Sequence, residues 1–212
     1  MRRLPVYILL DTSGSMFGEP IEAVNNGLQT LVSTLRSDPY ALETAYLSVI
    51  TFNSSARQDI PLTELSSFQE PKLTASGCTA LGEALTLVKN CAEREVVKTT
   101  HEKKGDWRPL VFILTDGEPT DDLDKGIADF RTMKWGMVVA CAAGNGANTD
   151  TLKKITENVL QLDTADSATI KAFFKWLSAS VAGTSEKIDG GQGEVTGLGE
   201  LPPPPDEVNI VV

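Results

Sequence analysis

Apolar runs of strand length alternate along this chain with longer stretches of helical period, and that alternation restricts the fold to an α/β domain on a mostly parallel sheet. Val6 to Leu10, Ala45 to Phe52, Leu110 to Leu114 and Gly136 to Ala142 are apolar runs without internal charge, as strands buried on both faces require. Gln58 to Pro61 can pair with the second run as a hairpin across the turn-prone Asn53, Ser54 and Ser55, and Val159 to Leu162 is a weaker sixth candidate. Between them, Ile21 to Leu35 places Ile21, Val24, Leu28, Leu31, Val32 and Leu35 on one face, with Pro20 suited to the first turn. Ala80 to Val97 repeats the stripe with Leu81, Ala84, Leu85, Val88, Cys91 and Ala92. Leu123 to Met133, Thr149 to Glu157 and Ser167 to Val181 complete the helical set, with Asp121 and Asp122 as caps for the first of them. The expectation is three layers, a mostly parallel central sheet flanked by helices on both faces.

At 212 residues the chain has room for one buried core and a tail. The core is expected to occupy residues 1–182. From Gly183 the composition shifts, through a glycine-rich run at about Gly190 to Gly199 and then Pro202 to Pro205, so residues 183–212 read as a linker and a polyproline stretch. Val208 to Val212 is apolar again: it docks as an edge strand, fits a partner groove or stays solvated.

A net charge of −10 repels phosphate backbones, and no basic stripe offsets it, which sets nucleic acid aside as a partner. Val6 to Leu10 is far too short for a bilayer and runs straight into Asp11, while Arg2 and Arg3 do not make an export signal, so a cytoplasmic protein without a membrane segment is expected. Cys78, Cys91 and Cys141 are odd in number and far apart, and read as reduced small hydrophobes without metal-type spacing. The single imidazole, His101, lies in the polar stretch from Thr99 to Asp106 and is expected to be a solvated loop residue, which leaves a His-dependent triad without support.

The informative stretch is the end of the first strand, Leu10-Asp11-Thr12-Ser13-Gly14-Ser15-Met16. Loops at the carboxyl ends of parallel strands line the crevice where ligands bind. Asp11, Ser13 and Ser15 at alternate positions offer a carboxylate and two hydroxyls on one side of an extended loop, the hard oxygen ligands that a small cation takes. Alone, such a string is modest evidence. The same edge gains Thr79, from Gly77-Cys78-Thr79-Ala80, and Asp116, from Leu114-Thr115-Asp116-Gly117. Three loops then supply oxygen only, which suits Mg²⁺ or Mn²⁺ and disfavours zinc. The plainer alternative is that Asp11 and Asp116 close turns and Thr79 caps a helix.

On these residues the chain resembles von Willebrand factor A (VWA) domains over roughly Pro5 to Val181. The resemblance implies a Rossmann-like fold and a metal-ion-dependent adhesion site formed by Asp11, Ser13, Ser15, Thr79 and Asp116. The hydroxyls of Ser13, Ser15 and Thr79 would touch the metal, Asp11 and Asp116 would bind it directly or through water, and an open position would take a partner's carboxylate. The family's usual Gly-Gly-Thr turn reads Gly77-Cys78-Thr79 here. More narrowly, Asp11 to Ile21, Thr115 to Asp122 and the proline-rich tail are similar to the bacterial tellurite-resistance TerY-type subfamily. That likeness implies a cytoplasmic, non-enzymatic adaptor or scaffold associated with a protein kinase and a metal-dependent protein phosphatase in phospho-signalling.

The enzymatic rival is a phosphotransferase of the haloacid dehalogenase type with Asp11 as nucleophile, but such a site needs a second Asp where Ser13 stands. Gly144-Asn145-Gly146 is too little for a dinucleotide loop. Glu118, Asp121, Asp122 and Asp124 read as solvated surface and caps, or as a field favouring a basic partner surface. Phe17 is expected either to anchor a partner or to pack on the following helix, and Met16 to enter the core.

Overall fold

A computed structural model describes residues 2–144, 146–191 and 197–211. The chain runs β1 (Leu4–Asp11), a 3-10 turn (Gly14–Met16), α1 (Glu19–Arg36), α2 (Pro39–Thr44), β2 (Ala45–Phe52) and β3 (Ala56–Glu64). It continues through α3 (Leu81–Glu95), β4 (Leu110–Thr115), α4 (Leu123–Phe130), β5 (Met137–Ala143), α5 (Thr149–Lys153), β6 (Val159–Leu162), α6 (Ser167–Asp189) and β7 (Val208–Val211).

The strands form one seven-stranded sheet in the order β3-β2-β1-β4-β5-β6-β7. β2, β1, β4, β5 and β6 are mutually parallel, and the two edges, β3 and β7, are antiparallel to their neighbours. The two-residue side-chain period divides β1 between two cores. Val6, Ile8 and Leu10 face the layer holding α1 and α6, while Tyr7 and Leu9 face α3 and α4. Close helix approach needs glycine at particular points: a Cβ on Gly27 of α1 would overlap the Phe174 ring of α6. Between α3 and α4, a Cβ on Gly82 would come within 2.5 Å of the Asp122 carbonyl oxygen. The chain has the three-layer, Rossmann-like α/β architecture expected.

Several boundaries differ from the sequence expectation. α2 was not anticipated, because six residues are too few to show a stripe; its Asp38 cap accepts a hydrogen bond from Ala41 N at 2.8 Å. β3 extends over nine residues, and Pro61 is tolerated inside it because β3 is an edge. α4 and α5 stop earlier than their patterns suggest, at Phe130 and Lys153.

The largest correction concerns the tail. The shift at Gly183 does not end the helix: α6 continues to Asp189, burying Thr184, Ser185 and Ile188. One interior glycine costs only about 1 kcal/mol against alanine, which those buried residues offset. Of the glycine-rich run, residues 192–196 lie outside the described residues, and 198–200 form a 3-10 turn. The chain then returns across α6, where Trp176 Nε1 donates to the Pro202 carbonyl at 2.8 Å and Leu201 is buried. It ends the described structure as β7, paired with β6 through Val208 to Val211, so the edge-strand alternative describes this segment; Val212 lies outside the described residues. Among the described residues no helix is long and apolar enough to cross a membrane.

Candidate functional site

β1 has β2 on one side and β4 on the other, so the chain's first crossovers leave it in opposite directions. That is a topological switch point, where the loops beyond the carboxyl ends of the strands separate and leave a crevice. Asp11 is the last residue of β1, and Asp116 follows the last residue of β4. Leu10 lies opposite Leu114, so Asp11 falls beside Thr115.

Asp11 is wholly buried, and both its oxygens are occupied. Oδ1 accepts from Ser13 N at 2.8 Å, and Oδ2 accepts from the Thr115 hydroxyl at 2.5 Å. The hydroxyls of Ser13 and Ser15 are 2.9 Å apart, and Ser15 Oγ donates to Asp116 Oδ1 at 2.7 Å. Thr79 is held through its backbone by Thr120: its N–H donates to the Thr120 hydroxyl at 3.1 Å, and Thr120 N donates to its carbonyl at 2.9 Å. Its hydroxyl and that of Ser15 both face Gly117, lying 3.5 and 3.9 Å from where a Cβ there would sit. Of the five oxygen-bearing side chains expected from sequence, Ser13, Ser15 and Asp116 are thus linked directly, Asp11 lies buried at the base of the same loop, and Thr79 faces Gly117 from a third loop.

The electrostatics of this cluster are unbalanced. Burial pushes the Asp11 carboxyl above the ordinary aspartate range, against the hydrogen bonds from Ser13 and Thr115. Burial does the same to Asp116, against the Ser15 bond, and the neighbouring charge of Asp11 adds to it. Two partly desolvated carboxylates with three hydroxyls are a donor set that a small hard dication neutralises.

The loops are locked together by backbone contacts. Gly14 N donates to Gly77 O at 2.9 Å, Ser76 N to Thr12 O at 2.8 Å, and Ala80 N to Asn53 O at 2.7 Å. Gly77 has φ +78°, a conformation that suits glycine, and its missing Cβ leaves room for Ser54 Oγ. No described non-glycine residue has positive φ, so a cysteine in the second place of the Gly77-Cys78-Thr79 turn is accommodated without strain.

The family model for the von Willebrand factor type A domain matches residues 6–175. The chain belongs to the VWA family. VWA domains generally act as protein interaction modules without catalysis of their own. An uncharacterized protein of the cyanobacterium Synechocystis is 32% identical over 125 residues, covering 55% of this chain and 26% of that protein. Among solved structures, a von Willebrand factor type A protein of Catenulispora acidiphila superposes with TM-score 0.62 at 20% identity, over 86% of this chain and 43% of that one. Proximal thread matrix protein 1 from the mussel byssus, in a form with a zinc-occupied MIDAS motif, gives TM-score 0.60 at 18% identity over 85% and 48%. At these identities the structural likeness carries the fold. This VWA chain spans about a quarter of the cyanobacterial relative and less than half of either structural neighbour.

Around the cluster, two of the four acidic residues are spent on helix caps. Asp121 accepts from Gly82 N at 3.0 Å and Glu83 N at 2.7 Å, capping α3 across the crevice, and Asp122 accepts from Lys125 N at 3.0 Å to cap α4. Glu118 accepts from Thr151 Oγ1 at 3.1 Å. Gly146 has a packing role, since a Cβ there would collide with the Asp116 carbonyl oxygen; Asn145 lies outside the described residues. Phe17 is 78% exposed beside the cluster, while Met16 is buried. His101 is exposed in the loop that leads into β4, at the opposite edge of the sheet.

The cysteines divide. Cys91 and Cys141 are buried, but Cys78 is exposed, which corrects its reading as a core hydrophobe: the turn that presents Thr79 to the crevice puts its neighbour on the surface. Sequence reasoning also missed Thr115, whose hydroxyl holds Asp11; its place beside Asp11 becomes apparent only once β1 and β4 are paired in register.

Proposed function

We propose that this VWA domain is a divalent-metal-dependent protein-binding module. Asp11, Ser13, Ser15, Thr79 and Asp116 would hold Mg²⁺, with Mn²⁺ a second choice, as a metal-ion-dependent adhesion site. The carrying observation is the linked run from Ser13 Oγ through Ser15 Oγ to Asp116 Oδ1, with spacings of 2.9 and 2.7 Å, above a buried Asp11. Its donors are all oxygen, which favours a hard cation. When bound, the metal supplies an electrophilic position for a partner's carboxylate. The residues do the rest: Thr115 and Ser13 N fix Asp11, Ser15 orients Asp116, and the Gly77 turn positions Thr79. Phe17 offers the partner an apolar contact at the rim. The zinc-occupied site of the mussel protein supports a divalent ion at the equivalent place.

The proposal extends to a cytoplasmic adaptor of the TerY type, with no catalytic cycle, in a tellurite-resistance or stress-associated phospho-signalling system. The partner would be a protein kinase or a metal-dependent protein phosphatase that presents an acidic residue. The complete burial of Asp11, with both oxygens occupied, argues against its use as a phosphoryl-accepting nucleophile.

Isothermal titration with Mg²⁺, Mn²⁺ and Zn²⁺ on wild type and Asp11→Ala tests the metal site; no uptake by wild type, or equal uptake by the variant, refutes it. Affinity capture with and without EDTA, using wild type and Asp11→Ala as baits, tests the partner. Equal capture in all four conditions moves the binding surface away from the metal.

A further inference from the structure

On the β2–β3 side of the metal loop lies a second, polar cavity of about 230 Å³. Thr12, the residue between Asp11 and Ser13, lines it, so one loop serves both places. The remaining walls come from Thr51 and Asn53 at the end of β2, Ser55 in the turn, Arg57 at the start of β3, and the segment Lys72, Leu73 and Thr74.

Its charge is specific. Asp59 is held from two sides, by Thr51 Oγ1 at 2.5 Å and Arg57 Nη2 at 2.5 Å, and its side chain is only 11% exposed. It thus anchors Arg57, whose side chain is 77% exposed and whose other guanidinium donors bond no described residue. Lys72 is exposed and makes no hydrogen bond or ion pair with any described residue. Two cations against one committed carboxylate leave the pocket at +1, on a chain of net −10. On the opposite flank of the crevice stand Glu118, Asp121, Asp122 and Asp124. The walls are pre-formed, because Asn53 N donates to Ser55 O at 3.1 Å and Thr12 N to Phe52 O at 2.9 Å.

We infer that this pocket is an anion subsite for a second carboxylate of the same partner, an Asp or Glu side chain near the one that meets the metal. This rests on the metal-dependent reading above. A single excess positive charge with hydroxyl donors matches a monoanionic carboxylate better than a phosphate dianion. The acidic β4 flank repels the same segment, so the partner's acidic chain crosses the edge from the metal toward β2 and β3.

The test uses the full chain, wild type, Lys72→Met and Lys72→Arg, with peptides carrying two glutamates separated by one to four glycines and single-glutamate controls, in Mg²⁺ and in EDTA. We expect the best-spaced diacid to bind wild type at least fivefold more tightly than its control in Mg²⁺. That advantage should fall below twofold in Lys72→Met and return in Lys72→Arg. Amide signals of Asn53 and Ser55 should also shift saturably with sodium acetate in EDTA, more tightly than with inorganic phosphate. The inference is overturned if no spacing gives an advantage, if Lys72→Met retains it, if acetate produces no saturable shift, or if phosphate binds better. Failure of the metal reading looks different: single-glutamate peptides would then bind equally in Mg²⁺ and EDTA.

Discussion

Asp11→Asn changes charge at constant shape, and the surroundings of Asp11 dictate opposite signs for its effect with and without metal. Ser13 N keeps an acceptor at Oδ1, and the Thr115 hydroxyl, now donating to Oδ2 at 2.5 Å, can turn and accept from the new amide. Neither of these two partners is stranded, so at Ser13 N and Thr115 the penalty of about 1–3 kcal/mol for an unsatisfied group does not arise. In the metal-free protein the carboxyl sits above the ordinary aspartate value of 3.8 because of burial. A raised native pKa means that the folded state holds the proton more tightly, so stability is full below the unfolded pKa and falls as pH rises through the folded one. In EDTA at pH 7, therefore, Asp11→Asn should be at least as stable as wild type, with any gain disappearing as pH falls toward 3.8. With Mg²⁺ the order reverses. Metal at 100 times its Kd adds about 2.7 kcal/mol to wild type, or about 5–11 °C in Tm for a domain of this size. A variant that binds 100-fold more weakly gains only about 0.4 kcal/mol, under about 2 °C. Thermal unfolding by circular dichroism, in EDTA and in Mg²⁺ at pH 4, 5.5 and 7, reads both signs. A variant less stable than wild type in EDTA at pH 7, or one with an undiminished Mg²⁺ shift, refutes this account of Asp11.

Gly27→Ala gains about 1 kcal/mol of helix propensity, but its methyl overlaps the buried Phe174 ring, and overpacking costs about 1–3 kcal/mol; a net loss of up to about 2 kcal/mol is expected in urea unfolding, smaller in combination with Phe174→Leu. Gly77→Ala must hold an L-residue at φ +78° against Ser54 Oγ, costing about 1–2 kcal/mol, and it should weaken metal uptake by calorimetry because Thr79 follows on that turn; unchanged uptake would detach the turn from the site. Val208→Ala removes two methyl groups from the buried face of β7, about 1.5 kcal/mol, and should increase proteolysis of the tail without altering metal affinity. Because burial raises both Asp11 and Asp116, protons compete with the metal; apparent affinity should fall as pH drops from 7 toward the ordinary aspartate value of 3.8, and a profile flat over that whole range by calorimetry would contradict this.

The elements most legible in the sequence were those whose own residues dictate their burial. β1, β2, β4 and β5 are apolar runs because both faces are covered, and α1 and α3 carry continuous stripes because one side of each meets the sheet. Asp11, Ser13 and Ser15 stood out because a strand that ends in alternating oxygen donors has little structural need of them. Features made by distant contacts were not readable in this way. The helix through Gly183 and the docking of β7 depend on packing between the tail, α6 and β6, whereas composition reports only local preference. Asp121 capping α3 rather than its own helix joins residues 39 apart in sequence. The pocket of Thr12, Arg57 and Lys72 gathers three segments with no shared motif.

Local periodicity and strand-end chemistry, which are properties of neighbours along the chain, were sufficient for the layered fold and for naming Asp11, Ser13, Ser15, Thr79 and Asp116 as candidates. Their convergence at one sheet edge was settled by strand order, since only the pairing of β1 with β4 brings Asp11 beside Thr115 and Asp116 within reach of Ser15. The same tertiary packing decided which charges face the crevice, which are spent on helix caps and where the chain closes the sheet. Those outcomes are set by contacts between residues tens to about a hundred positions apart, and no local pattern encodes them.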